Sequence, residues 1–262
     1  MNRLAGVEAK IKRAKKHIQE LDVALKAFFD TNPYVVGAKR DPQTRKPIYY
    51  LVSVEDVDVD IAAIAGNVLQ DLRSALDHLA YQLVQVGTGL PSPFNYVYFP
   101  IFDSATKYEA GKLGQIKGMR QDAIDAIDGV KPYKGGNDTL WRLHQLNKVD
   151  KHRLLITVGS SFDSVDIGPI MQRGLRTFAD IGNIGFPSLL LRPADRLYPL
   201  KAGDELFIDA PNAKVNEKLQ FRFDVALSEP QVIEGEPLLE TLQQMVDLVD
   251  KLVPTFEPLL VQ

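Results

Sequence analysis

Two stretches of this 262-residue chain concentrate the side chains that can move protons or hold an anion. The first, QDLRSALDHLAYQL over residues 70–83, carries Arg73, Asp77 and His78. The second, LWRLHQLNKVDKHRLL over 140–155, carries His144, Lys148, Lys151 and His152 beside Arg142, Asp150 and Arg153. Imidazoles titrate near neutrality and serve as general acids and bases. Arginine offers a planar fork of donors to a phosphate or carboxylate, and lysine a compact point charge. If both stretches are helical and pack together, Arg73, Asp77, His78, His144, Lys148, Lys151 and His152 form one polar cluster. Such a cluster is either a catalytic site, where neighbouring charges tune pKa values, or a structural network tying two helices.

Helical spacing sorts these residues further. Arg73 and Asp77 stand at i,i+4 and can pair, whereas His78 falls about 140° from Arg73 on the wheel at roughly 100° per residue. His144, Asn147, Lys148 and Lys151 share a stripe, and Asp150 with Arg153 at i,i+3 suggest a partly buried ion pair. His152 falls near a helix end, where a cationic imidazole suits the helix dipole. Residues 57–87 contain no Lys and no Glu, although an ordinary solvent-facing helix carries several. That face is therefore expected to be covered, by another helix, a second subunit or a substrate.

The elements that must position these groups follow from periodicity. Leu4, Val7, Ile11, Ala14, Ile18, Leu21 and Leu25 predict a helix over 3–29, with Lys10, Lys12, Arg13, Lys15 and Lys16 on a solvated outer face. Two β-rich runs flanking Asp41-Pro42 predict a hairpin over 33–55, and a long helix follows over 59–86. Gly87 to Pro93 breaks the chain, and 95–102 (NYVYFPIF) is extended. Helices are expected over 104–114, 119–128 and 138–152, the last capped by Asn137 or Asp138. From Leu154 to about Pro230 the chain reads as strands and turns. Residues 218–228 alternate apolar and polar, with 188–192 and 205–209 as partner strands and Lys201–Asp204 as a turn. A final helix begins at Pro237 and is ended or kinked by Pro254. The fold class is therefore α+β: a bundle-like helical portion with a β-hairpin insertion (1–153) carries the polar cluster. An antiparallel β-rich portion with a C-terminal helix (154–262) follows it.

Composition narrows the chemistry. With no cysteine, the chain has no disulfide, thiolate nucleophile, zinc–cysteine site or iron–sulfur cluster. A formal charge of −3 excludes a broad basic field, so nucleic acid would need a local patch. There is no P-loop, GxSxG elbow, HExxH or GxGxxG pattern. No apolar run approaches a membrane span and the charged N-terminus lacks a signal core, which makes a cytoplasmic protein the expectation.

The pairing of LRSALDHLAYQL with LWRLHQLNKVDKHRLL, with YFPIF between them, resembles a recurrent pattern in bacterial hypothetical proteins, over about residues 60–156. That likeness brings no established activity. Arg73-Ser-Ala-Leu-Asp-His78 also resembles the HEPN signature, an Arg followed four to six residues later by His on a helix, with Ser74 where Asn, Asp or His is common. The resemblance implies a helical domain that dimerises as a metal-independent ribonuclease or RNA-binding module. His78 would then be the general base or acid at a ribose 2′-hydroxyl, and Arg73 would stabilise the phosphate. Two alternatives stand beside it: a non-catalytic binding or assembly protein with a structural His/Arg/Asp network, and a helical-bundle metalloenzyme using His78, His144 and His152. No cofactor is expected, RNA is the candidate ligand, and a homodimer is expected from the uncharged surface of helix 59–86.

Overall fold

The computed structural model describes residues 2–89, 96–162, 165–166, 190–191, 197–216, 219 and 221–261. Among them the α+β class is as expected, with six α-helices and antiparallel strands. The helices are α1 (Ala5–Asp30), α2 (Val59–Thr88), α3 (Ala105–Gln115), α4 (Gln121–Val130), α5 (Asp138–Asp150) and α6 (Leu238–Phe256). The strands are β1 (Tyr34–Arg40), β2 (Pro47–Val54), β3 (Thr157–Phe162), β4 (Val165–Asp166), β5 (Leu190–Leu191), β6 (Glu205–Ile208), β7 (Arg222–Glu229) and β8 (Ile233–Pro237).

Helix α1 buries Val7, Ile11, Ala14, Ile18, Leu21 and Leu25, spaced 4-3-4-3-4, the pattern of a single seam against one neighbour. The seam lies mainly on α2, and α6 packs beside it. Helix α2 differs in kind. Its buried residues, from Ile61 through Leu69, Asp71, Leu72, Arg73 and Leu76 to Val86, cover a broad arc of the wheel. So wide an apolar arc needs several neighbours. Helices α1, α5 and α6 pack on it, yet the polar stripe without Lys or Glu, expected from the sequence to be covered, stays exposed at Asn67, Gln70 and His78. The side chain of Asp58 caps its start by accepting from the Asp60 N–H, and Gly89, in the left-handed region at φ 64°, follows its end. Helix α5 is capped by Asn137, which accepts from the Leu140 N–H. Helix α6 continues two residues past Pro254, and a 3₁₀ turn over Glu257–Leu260 completes it.

One hydrophobic cluster joins α1, α2, α5, β7 and α6 through residues such as Leu21, Leu72, Leu143, Val225, Leu238 and Val249. A smaller cluster of Tyr34, Leu51, Leu200 and Leu206 sits under the hairpin, against Phe28, Phe29 and Phe223. The sheet pairings correct one expectation. Strand β6 pairs with β2, giving the order β1-β2-β6, whereas β7 pairs with β3 and β8. Of the partner strand expected over 188–192, only β5 lies among the described residues, and it pairs with β4. Lys201–Asp204 is a turn as expected, with Gly203 at φ 96°.

Helix α5 crosses α2 closely at Gly66, where an added Cβ would meet the Asp150 carboxylate. Alanine for glycine inside a helix normally stabilises by about 1 kcal/mol. Here Gly66→Ala is expected to destabilise by about 1–3 kcal/mol in chemical denaturation, as overpacked sites do. Adding Asp150→Ala should recover most of that loss. A stabilising Gly66→Ala would show that α5 does not sit on α2 at this point.

Candidate functional site

The segment 97–103 runs extended beside α2 with Phe99, Pro100 and Ile101 buried, yet it belongs to no sheet. Buried backbone groups need partners, and here side chains of α2 supply them. The Phe99 N–H donates to Asp77 Oδ1 at 2.9 Å, and the Phe99 carbonyl accepts from Arg73 Nη2 at 2.9 Å. Arg73 and Asp77 also bond each other twice, Nη2 to Oδ1 at 2.7 Å and Nε to Oδ2 at 3.2 Å. The i,i+4 spacing thus builds a fork that grips one residue of a neighbouring segment by both backbone groups. Pro100 has no N–H to satisfy and holds Phe99 in the extended conformation. Further along, the Phe102 N–H donates to the Pro132 carbonyl, and Asp103 Oδ1 accepts from Trp141 Nε1 and Gln145 Nε2 on α5.

Burial acts on this pair from both sides. It pushes the Asp77 carboxyl up, against the pull of Arg73 and the Phe99 N–H. It pushes the Arg73 guanidinium down, against the pull of Asp77. Arginine stays charged regardless, so Asp77 faces a permanent cation. Arg73 Nη1 is buried and has no hydrogen-bond partner among the described residues.

The second stretch splits along its stripe. Asn147 is buried and donates to Gln70 Oε1 at 3.0 Å, bridging α5 to α2. His144 is partly buried near Arg73, and its imidazole is pushed down to about 4, by burial first and by Arg73 next. It is therefore neutral at physiological pH. Lys148, Lys151 and His152 are exposed. The expected Asp150–Arg153 pair does not form. Arg153 instead reaches β7 and bonds both oxygens of Glu229, at 3.0 and 2.6 Å, while Glu229 also accepts from the Ile156 N–H. Glu229 is 1% exposed, so this long-range partner answers a deeper burial than Asp150 could. The Asp150 carboxyl is pushed up by burial.

His78 stands apart from Arg73. Its ring faces the first turn of α1, where an added Cβ on Gly6 would lie 3.4 Å from Nδ1. It lines a hollow of about 210 Å³ with Arg3, Gly6, Val7, Tyr81 and Gln82. The structure thus brings Arg73, Asp77 and His144 together and leaves His78 and His152 elsewhere. Among the described residues no three His, Asp or Glu side chains stand together as a metal-holding group, and His78, His144 and His152 are not one.

A second charged cluster has no counterpart in the sequence reading. Asp71 on α2 is 3% exposed and is ringed by Lys10 Nζ at 2.9 Å, Arg13 Nε at 3.4 Å and His17 Nε2 at 3.6 Å, all from α1. Lys15 pairs with Asp250 of α6 at 2.8 Å. Part of the basic face of α1 is therefore turned to carboxylates of its neighbours and is not simply solvated. The signal was the unexplained excess of cations on α1 beside an aspartate on a helix without lysine.

Searches of known protein families, curated proteins and solved structures returned no match to this chain.

The His144 shift has a stability consequence with a definite sign. Its folded pKa lies below the unfolded value of 6.5, so its contribution is full above 6.5 and is lost as pH falls through about 4. Each unit is worth about 1.4 kcal/mol, so the loss is on the order of 3 kcal/mol. His144→Asn, which cannot titrate, should show a shallower fall in unfolding free energy across that window. An imidazole that titrates near 6.5 by NMR would contradict the burial.

Proposed function

We propose that the protein is a non-catalytic binding or assembly module in which the Arg73–Asp77 pair is structural. The observation that carries this is the commitment of the Arg73 guanidinium. Nε and Nη2 are spent on Asp77 and on the Phe99 carbonyl, in a buried site. A phosphate-stabilising arginine must reach its substrate beside the acid–base group. Here the imidazole five residues on faces α1, on a different side of α2. Helices α1, α5 and α6 bury the apolar arc of α2, so this reading does not require a homodimer to cover it.

The ribonuclease reading keeps one specific point in its favour, the open hollow beside His78. It predicts RNA cleavage in EDTA with 2′,3′-cyclic phosphate ends, and loss of on the order of 10²–10⁴-fold in rate with His78→Ala. The binding-module reading predicts that wild type and His78→Ala leave a mixed RNA pool equally intact under those conditions. No helix among the described residues is long and apolar enough to cross a membrane. Metal-free cleavage that disappears in well-folded His78→Ala protein would overturn the proposal.

A further inference from the structure

We propose that the hollow between the start of α1 and the C-terminal half of α2 is a binding site for a phosphate group, gripped between His78 and Arg3. This rests on the binding-module reading and names its ligand class. The hollow holds about 210 Å³, room for roughly seven waters at about 30 Å³ each and enough for a phosphate with part of its carrier. Six residues line it: Arg3, Gly6, Val7, His78, Tyr81 and Gln82. None is acidic, in a chain with 34 aspartates and glutamates. On a surface of that composition, a concavity offering only cationic, neutral polar and apolar groups selects for an anion.

The donors are available. Arg3 spends one Nη1 contact on Gln85 Oε1 at 3.2 Å and keeps the rest of its fork, which suits the paired oxygens of a phosphate. His78 is exposed and makes no hydrogen bond or ion pair among the described residues. The Gln82 amide adds a neutral donor. Gly6 keeps the hollow open: a side chain there would start 3.4 Å from His78 Nδ1 and grow across the mouth. His78 is therefore matched with Arg3, which just precedes α1, and not with Arg73 on its own helix.

The test is an NMR and calorimetric titration of the full chain with two probes, inorganic phosphate and adenosine 5′-monophosphate. Saturable binding of either, with shifts centred on Arg3, Gly6, His78 and Gln82, is expected. The two arms separate a site for free phosphate, where both probes bind alike, from one for a phosphate monoester, where the nucleotide binds tighter. His78→Gln and Arg3→Gln should each weaken binding about ten- to a hundredfold, the usual worth of a charge-assisted hydrogen bond. Both side chains lie at the surface, so both variants should fold. Gly6→Leu should abolish binding while keeping or raising the melting temperature, which separates filling the hollow from damaging the fold. No saturation by either probe at about 10 mM, or unchanged affinity in His78→Gln, overturns the site. Hydrolysis of a bound probe would instead overturn the non-catalytic reading and leave the site standing.

Discussion

A buried extended segment that joins no sheet has to find its backbone partners among side chains, and much of this structure follows from that requirement. Phe99 is fully buried, and the two groups it presents to α2 are met by a carboxylate and a guanidinium one helical turn apart. Leaving either backbone group unmet would cost about 1–3 kcal/mol. Meeting them with charges is stable only because the charges also meet each other. The fork thus fixes where 97–103 lies. From there, Asp103 takes up Trp141 and Gln145, and α5 is held against α2 by Asn147 and Gln70. His144 becomes a neutral, half-buried imidazole as a result of that packing.

The same logic governs the rest of α2. It is buried over a broad arc, and the charges that fall on that arc are answered by partners. Asp71 is answered by Lys10, Arg13 and His17 of α1, and Asp77 by Arg73. Lys10 and Arg13 of α1 are thus the counterpart of an acid on the helix beneath, and Lys15 of one on α6. Glu229 repeats the arrangement in the β-rich part of the chain, where Arg153 and the Ile156 N–H tie the end of α5 to β7.

Local patterns in the sequence were a good guide wherever the interaction was local. The 4-3 spacing of α1, the hairpin turn at Asp41, the Asn137 cap and the Arg73–Asp77 pair all lie within a few residues of one another. The absence of Lys and Glu from 57–87 suggested a covered polar face, but Asn67, Gln70 and His78 on that face are exposed. What periodicity could not show were partners distant along the chain. Strand β6 pairs with β2, more than 150 residues earlier, because strand choice depends on packing that alternation does not encode. Arg153 had a visible partner at i−3 and took a more buried one at Glu229. Arg73 and His78 were close in sequence but separated by the helix itself, and Arg3 stood too far away to suggest a link to His78.

The central claim is that Arg73 and Asp77 act as one structural unit on the Phe99 backbone. A double-mutant cycle of Arg73→Ala and Asp77→Ala, read as unfolding free energy at neutral pH, tests it most directly. The account predicts that Arg73→Ala alone costs about 3–5 kcal/mol, as expected when a buried charge is left unpaired. It further predicts that the double variant loses less than the sum of the singles, by about 0.5–3 kcal/mol. Single variants that unfold like wild type, with no coupling between them, would contradict it and return Arg73 to the candidates for direct chemistry.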